Sequence, residues 1–237
     1  MQNALYMDNS YLKEFNAIVE EIDNGKFVIL DKTAFFPKGG GVPNDIGKLI
    51  RISDDKTFDV VFVSKQNGQI NHEVNEEGLK TGDKIIGKIY WERRYLLMRY
   101  HTAAHVLSGL FSKELKCLIT GNQLELDKGR IDFDLENFDK DLIQEYINKA
   151  NELIQKDLQV ETYYLKREDA IKDNNLFKLA MNFKHDVDEL RIVDIKNFDK
   201  QADGGCHVKS LKEIGKIELL KIENKGKNNR RVYFKIV

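Results

Sequence analysis

Several things that decide a protein's class are scarce in this sequence. There are two cysteines in 237 residues, Cys117 and Cys206. They allow one bridge at most, so a disulfide framework is excluded and a reduced setting is expected. There are two prolines, Pro37 and Pro43, and both flank the Gly39-Gly40-Gly41 run, which gives that loop a fixed shape. No apolar run is long enough to span a bilayer. The start, MQNALYMDNSYLKEF, lacks the basic, apolar, then small pattern of a secretory signal. Net charge is nearly absent, at −1, although 32% of residues are charged. The chain as a whole therefore does not attract nucleic acid, and any basic binding surface must be local. No internal repeat and no low-complexity segment occurs. A soluble, cytoplasmic protein is expected, with no membrane attachment and no required protein partner.

An apolar content of 41% argues against disorder, and the length suits one large domain or two modest ones. The stretch to Tyr90 reads as short strands separated by turn signals at Asp23-Asn24-Gly25 and Asn67-Gly68. That pattern predicts a small antiparallel β-barrel over residues 1–90. The composition then switches. In ERRYLLMRYHTAAHVLSGLFSKEL, residues Leu97, Tyr100, Ala104, Leu107 and Phe111 follow helical spacing. A domain boundary falls near Trp91. Residues 91–237 are expected to be α+β, with a mostly antiparallel sheet and helices on one side. RIDFDLENF reads as a strand, Asp139 as the cap of an amphipathic helix, VETYYL as a strand, and REDAIKDNNLFKLA as a short helix. LRIVDI is a further strand, and IELLKIENKGKNNRRVYFKIV closes as a hairpin with a basic turn.

The chemistry concentrates in two short motifs. His101 and His105 stand four apart on the predicted helix, so both imidazoles lie on one face within reach of one ion. Alone, such a pair also fits an ordinary packed helix face. The stretch QADGGCHVKS adds Asp203, Cys206 and His207, three residue types that bind metals, in a glycine-rich turn after LRIVDI. Three of five histidines then fall in two compact motifs, while His72 and His185 sit in polar contexts and read as surface residues. The Gly39–Gly41 run can present backbone N–H groups to a phosphate, or serve as a tight inter-strand turn. It is not a P-loop, because the GKS or GKT ending is missing.

RYHTAAHVLSGLF together with RIVDIKNFDKQADGGCHVKSLKEIG resembles the freestanding alanyl-tRNA editing proteins of the AlaX type, which are related to the editing domain of alanyl-tRNA synthetase. TAFFPKGGGVPNDIG is similar to that family's TAFYPEGGGQPSDTG, and ITGNQLELDKGRIDFD to the segment lining its pocket. The likeness covers nearly the whole chain. It implies an N-terminal barrel followed by an editing domain that binds one zinc ion through HxxxH and CxxxH. Carried over, His101, His105 and His207 match as ligands. The family's cysteine position is Asp203 here, the usual threonine before the last histidine is Cys206, and the glutamine after the glycines is Val42. Asp203 is then a fourth ligand or a base holding a water. Cys206 is the alternative ligand, set behind Asp203 because adjacent side chains usually diverge.

The implied activity is hydrolysis of the ester joining serine or glycine to alanine's tRNA. The ion either activates water or positions the substrate. Asp203, when not a ligand, is the candidate general base. Thr120 and Gln123 are the candidates for contact with a serine hydroxyl, with Gly39, Gly40 and Gly41 near the substrate. Arg93, Arg94, Lys225, Lys227, Arg230 and Arg231 are the candidates for RNA contact. A non-catalytic, zinc-containing tRNA-binding module and a metal-dependent hydrolase of other small esters stand as alternatives. No ATP-binding signature is present and the chain is short for a synthetase, so aminoacylation itself is excluded.

Overall fold

The chain begins with a two-residue strand, β1 (Asn3–Ala4), and one helical turn, α1 (Leu5–Asp8). Eight strands in all then belong to the first part: β2 (Glu14–Asp23), β3 (Phe27–Leu30), β4 (Lys32–Thr33), β5 (Gly47–Arg51), β6 (Thr57–Gln66), β7 (Gln69–Val74) and β8 (Lys84–Ile89) join β1. Helix α2 (Trp91–Leu115) follows. The remainder carries β9 (Ile119–Leu124), β10 (Gly129–Phe133), α3 (Lys140–Gln155), β11 (Val160–Lys166), α4 (Arg167–Ala170), β12 (Glu189–Ile195), β13 (Asp199–Ala202), a 3-10 turn (Leu211–Ile214), β14 (Ile217–Asn224) and β15 (Arg230–Ile236). This computed structural model describes residues 3–135, 139–173, 176–178, 188–226 and 229–237. Two units emerge, Met1–Leu97 and Met98–Val237. No helix among the described residues is long and apolar enough to cross a membrane.

In the first unit, β2, β3, β7, β6, β5 and β8 close into an antiparallel barrel in that order. Period-two burial builds it: Phe15, Ala17 and Val19 of β2 point inward while their neighbours are exposed. The β6–β7 hairpin turns on Asn67 and Gly68, which both take positive φ, as a two-residue loop requires. Gly40 and Gly41 also take positive φ. The N–H groups of Gly39 and Val42 bond each other's carbonyls, so the glycine run is a tight turn whose two flanking amides are already used.

Two residues of this unit correct the sequence-based expectation. His72 is not a surface residue; it is fully buried. Its Nδ1–H donates to the Val28 carbonyl at 2.9 Å and its Nε2 accepts from the Thr33 hydroxyl at 2.8 Å, with Phe35 edge-on. Polar flanks in QINHEV concealed this, because alternation along β7 turns His72 inward. Arg94 is not free to meet a phosphate. It is 1% exposed, pairs with the Asp45 carboxylate, and donates to the carbonyls of Ala34 and Ser10. Asp45 also accepts from the Phe36 amide at 2.6 Å, so this buried pair ties the glycine loop to the start of α2 within the first unit. Arg93 lies half-buried with its Nε on the Asn44 carbonyl.

The second unit is α+β with two antiparallel sheets. One has the order β14-β15-β10-β9 and the other β11-β12-β13. Asp139 caps α3 by accepting from the Leu142 amide at 2.7 Å. Ile143, Tyr146, Ile147, Ala150 and Ile154 form the buried stripe of α3, which packs on β14 and the 3-10 turn. Of the helix expected over REDAIKDNNLFKLA, residues 174–175 and 179–180 lie outside the described residues, and the described ones form one α-helical turn, Arg167–Ala170. Tight turns follow it, with the amides of Asp173 and Leu176 bonded to Ala170 and Asp173. Strand β13 is formed by DKQA, whose polar Asp199 and Gln201 face inward.

Burial holds the His72 imidazole at a pKa of about 4, against an ordinary 6.5. Folding therefore favours the neutral ring. Stability is level above pH 6.5 and falls as pH drops from 6.5 toward 4, because only the unfolded chain binds the proton there. His72→Gln is expected to destabilise the chain at pH 7 by roughly 2 kcal/mol through lost hydrogen bonds. Denaturant titrations should show the gap to wild type narrowing between pH 7 and pH 5. A gap independent of pH would contradict the buried neutral ring.

Candidate metal centre

Ten consecutive residues of α2, 101 to 110, are buried. A helix buried all round is expected to be apolar all round, so the polar groups within this stretch each need a partner. The Ser108 hydroxyl donates to the His105 carbonyl and accepts from Gln201 of β13 at 3.0 Å. Gln201 also bonds Asp199, whose carboxylate holds the buried Lys178 ammonium. This network fastens β13 to α2 one turn beyond His105. His101, Thr102 and His105 remain, and the loop after β13 comes to meet them.

Four side chains converge there: His101, His105, Asp203 and His207 each offer a ligand atom, all within 4.8 Å of one another. The Nε2 atoms of His101, His105 and His207 stand 3.6, 3.8 and 3.1 Å from the Asp203 carboxylate. The rings themselves pack at 4.3 to 5.0 Å between centroids. All three histidines are buried, whereas the Asp203 side chain keeps 23% of its surface open. Burial pushes the His101 pKa down to about 4 against the pull of Asp203, and burial together with the neighbouring His101 and His105 rings, which disfavour a further positive charge, pushes His207 well below its ordinary value. Burial would raise the Asp203 carboxyl, but the three imidazoles outweigh it and hold the group well below the usual carboxylate range. At neutral pH His101 and His207 thus present neutral imidazole nitrogens beside an ionised carboxylate.

The loop is shaped to deliver these groups. Arg191 of β12 donates from one guanidinium nitrogen to the carbonyls of Asp203 and Gly205, at 3.0 and 2.9 Å. The Asp203 Oδ1 atom accepts the Gly205 amide at 2.6 Å. A Cβ on Gly205 would fall 2.4 Å from His101 Cε1 and 2.9 Å from Asp203 Oδ1, so only glycine fits. Cys206 is buried, and its thiol is not one of the converging donors. Arg191 was missed in the sequence because an arginine inside LRIVDI reads as strand-edge polarity. Thr102 was missed because it is masked between two histidines; its hydroxyl lies 3.2 Å from His207 Nδ1.

Among the other candidate residues, those of the second unit make their hydrogen bonds to residues outside the four of the cluster. Thr120 is exposed, with its hydroxyl on Asn229 Oδ1 at 3.2 Å. Gln123 is exposed, bonds Glu125 and accepts from Arg130. It lines a cavity on the four-stranded sheet with Glu125, Lys128, Arg130, Lys221 and Arg231. Arg231 grips Asp132 through two hydrogen bonds at 2.7 and 2.8 Å, and Arg230 folds onto Asn224 and Gly226 in its own hairpin turn. Both guanidiniums are thus engaged within the sheet. Lys225 is exposed and pairs with Glu223 at 2.9 Å. Lys227 and His185 lie outside the described residues.

Three imidazoles and one carboxylate form a donor set suited to zinc. The fit is supported by the His101 Nδ1 atom, which is buried and has no hydrogen-bond partner among the described residues. A cation on the ring's other nitrogen would offset the burial of this ring. Gly205→Ala is expected to displace His101 or Asp203, destabilise the chain by about 1–3 kcal/mol, and weaken cation uptake. Calorimetric titration with zinc checks this. Wild-type stability and uptake in that variant would show that the close approach is not a requirement.

Comparison with known proteins gives the arrangement its context. Residues 190–233 match the profile described as "Threonyl and Alanyl tRNA synthetase second additional domain". Residues 3–93 match that of "tRNA synthetases class II (A)". The chain is 48% identical to the alanyl-tRNA editing protein AlaX-M of Methanosarcina barkeri, with both chains covered completely. It is 44% identical to the AlaX-M protein of Saccharolobus solfataricus, covering all of this chain and 99% of that one. It is also 34% identical to an alanine–tRNA ligase of Methanococcus maripaludis, over 92% of this chain but 24% of the ligase. Matched from end to end by the first two and by only a quarter of the third, the chain belongs to the alanyl-tRNA editing proteins of the AlaX-M type.

Proposed function

We propose that this protein acts in trans on alanine tRNA that carries the wrong amino acid, hydrolysing the ester to serine or glycine at a single zinc ion. The full-length correspondence to relatives named alanyl-tRNA editing proteins carries this reading. His101, His105 and His207 would hold the ion, with Asp203 as the fourth donor. When bound, the ion supplies positive charge near the ester carbonyl that water alone lacks.

The chain's own residues divide the remaining work. The buried imidazoles exclude water from three sides. Asp203, the one partly open member, is where a substrate first meets the cluster. Its carboxyl is held far below neutral pH, so it is a weak proton acceptor. That favours Asp203 as an oxygen donor and an orienting hydrogen-bond acceptor over a general base. An ester needs less activation than an amide, so orientation of a water counts for more than basicity.

Serine and alanine differ by one hydroxyl. An apolar pocket separates such a pair poorly, while a site that bonds the hydroxyl separates it well. Thr120 is the better candidate for that bond, since the residue is exposed and, among the described residues, its hydroxyl bonds Asn229. Gln123 is committed to Glu125 and Arg130. For tRNA backbone contact, exposed Lys225 on the last hairpin is favoured over the internally bonded Arg230 and Arg231.

Incubation with seryl-tRNA(Ala) and alanyl-tRNA(Ala) tests the proposal. The seryl ester should be cleaved and the alanyl ester spared. Protection of the seryl ester would instead indicate a binding module, and equal cleavage of tRNA-free esters a general hydrolase. Thr120→Val should lower kcat/KM for the seryl ester about tenfold or more with zinc content unchanged. Unaltered discrimination would remove Thr120 from the pocket.

A further inference from the structure

The Thr102 hydroxyl is fully buried and sits among three groups. It lies 3.2 Å from His207 Nδ1, 2.9 Å from the Met98 carbonyl oxygen and 3.2 Å from the Val208 amide nitrogen. The amide can only donate and the carbonyl can only accept. A hydroxyl has one proton to give and two lone pairs. Two proton arrangements satisfy the groups around Thr102, the second only with a cation to meet Nε2 and Asp203. In one, His207 Nε2–H donates to Asp203 Oδ1, 3.1 Å away, and Thr102 O–H donates to His207 Nδ1. In the other, Nε2 carries no proton, Nδ1–H donates to Thr102, and Thr102 O–H turns to the Met98 carbonyl. The Val208 amide donates to the same oxygen throughout.

We propose that Thr102 is a positioning residue that lets His207 exchange tautomers as a cation enters and leaves the centre, an inference that rests on the zinc-centre reading above. The first arrangement belongs to the cation-free cluster, where Nε2 needs a proton to meet Asp203. The second belongs to the loaded one, where Nε2 must offer a lone pair. The ring releases one proton from Nε2 to solvent and takes one from solvent at Nδ1, while Thr102 keeps its own, so the charge does not change. The hydroxyl turns about one bond, and no buried group loses its partner in either state. His101 lacks this provision, since its Nδ1 has no partner among the described residues. A valine of the same shape at position 102 would strand both His207 Nδ1 and the Val208 amide.

Long-range 1H–15N NMR of histidine-labelled protein at pH 7.5, without and with one equivalent of zinc, reads the tautomer directly. His207 should carry its proton on Nε2 in the free chain and on Nδ1 in the loaded chain. Competition with a chelator should show Thr102→Val binding zinc about 10- to 100-fold more weakly, the usual effect of removing a ligand's hydrogen-bond partner, and Thr102→Ser within about threefold of wild type. An Nδ1–H ring already present in the free chain, or wild-type affinity in Thr102→Val, would overturn the proposal. Should Thr102→Val fail to fold, the wild-type spectra and the serine variant still decide it. A wild-type chain that takes up no zinc would overturn the centre itself, and the proposal with it.

Discussion

The arrangement of the second unit depends on burying the middle of α2 with histidines in it. A buried imidazole must be neutral or paired, and two on one helix face are costly unless something converges on them. The loop after β13 supplies both answers. It brings Asp203 to the three Nε2 atoms and adds His207 as a third ring. Arg191, Gly205 and the Gln201–Asp199–Lys178 network set that loop in place. Sheet, loop and helix thus answer one requirement, that polar donors in a dry interior face one point.

The basic residues follow a different logic from the one their sequence clustering suggests. Arg94 and Arg231 each find a carboxylate, Asp45 and Asp132, and Arg230 finds the backbone of its own turn. Arginine's planar fork suits such two-point contacts. These side chains shape loops and hairpins.

The barrel, the long helix, the Asp139 cap and the closing hairpin were legible because period-two and helical patterns with turn residues are local signals. His101, His105, Asp203 and His207 were legible as types and spacings. Their convergence was not, since it depends on a hairpin pairing between β12 and β13. Strand β13 was hidden because its inward residues are Asp199 and Gln201, which no apolar alternation reveals. His72 was misjudged for the same reason: a polar residue in a strand faces in or out according to register, and only tertiary partners decide. Arg191 and Thr102 act through other residues, and nothing in their neighbours' identity announces that.

The central claim is that three imidazoles and a carboxylate, without a thiol, form a cation centre. Cobalt(II) substituted for zinc reports the donor set by its optical spectrum. Visible d–d bands with no strong near-ultraviolet thiolate-to-cobalt band are expected, and Asp203→Asn should perturb them while Cys206→Ala should not. A strong thiolate band lost in Cys206→Ala, or no uptake of cobalt or zinc, would contradict the account.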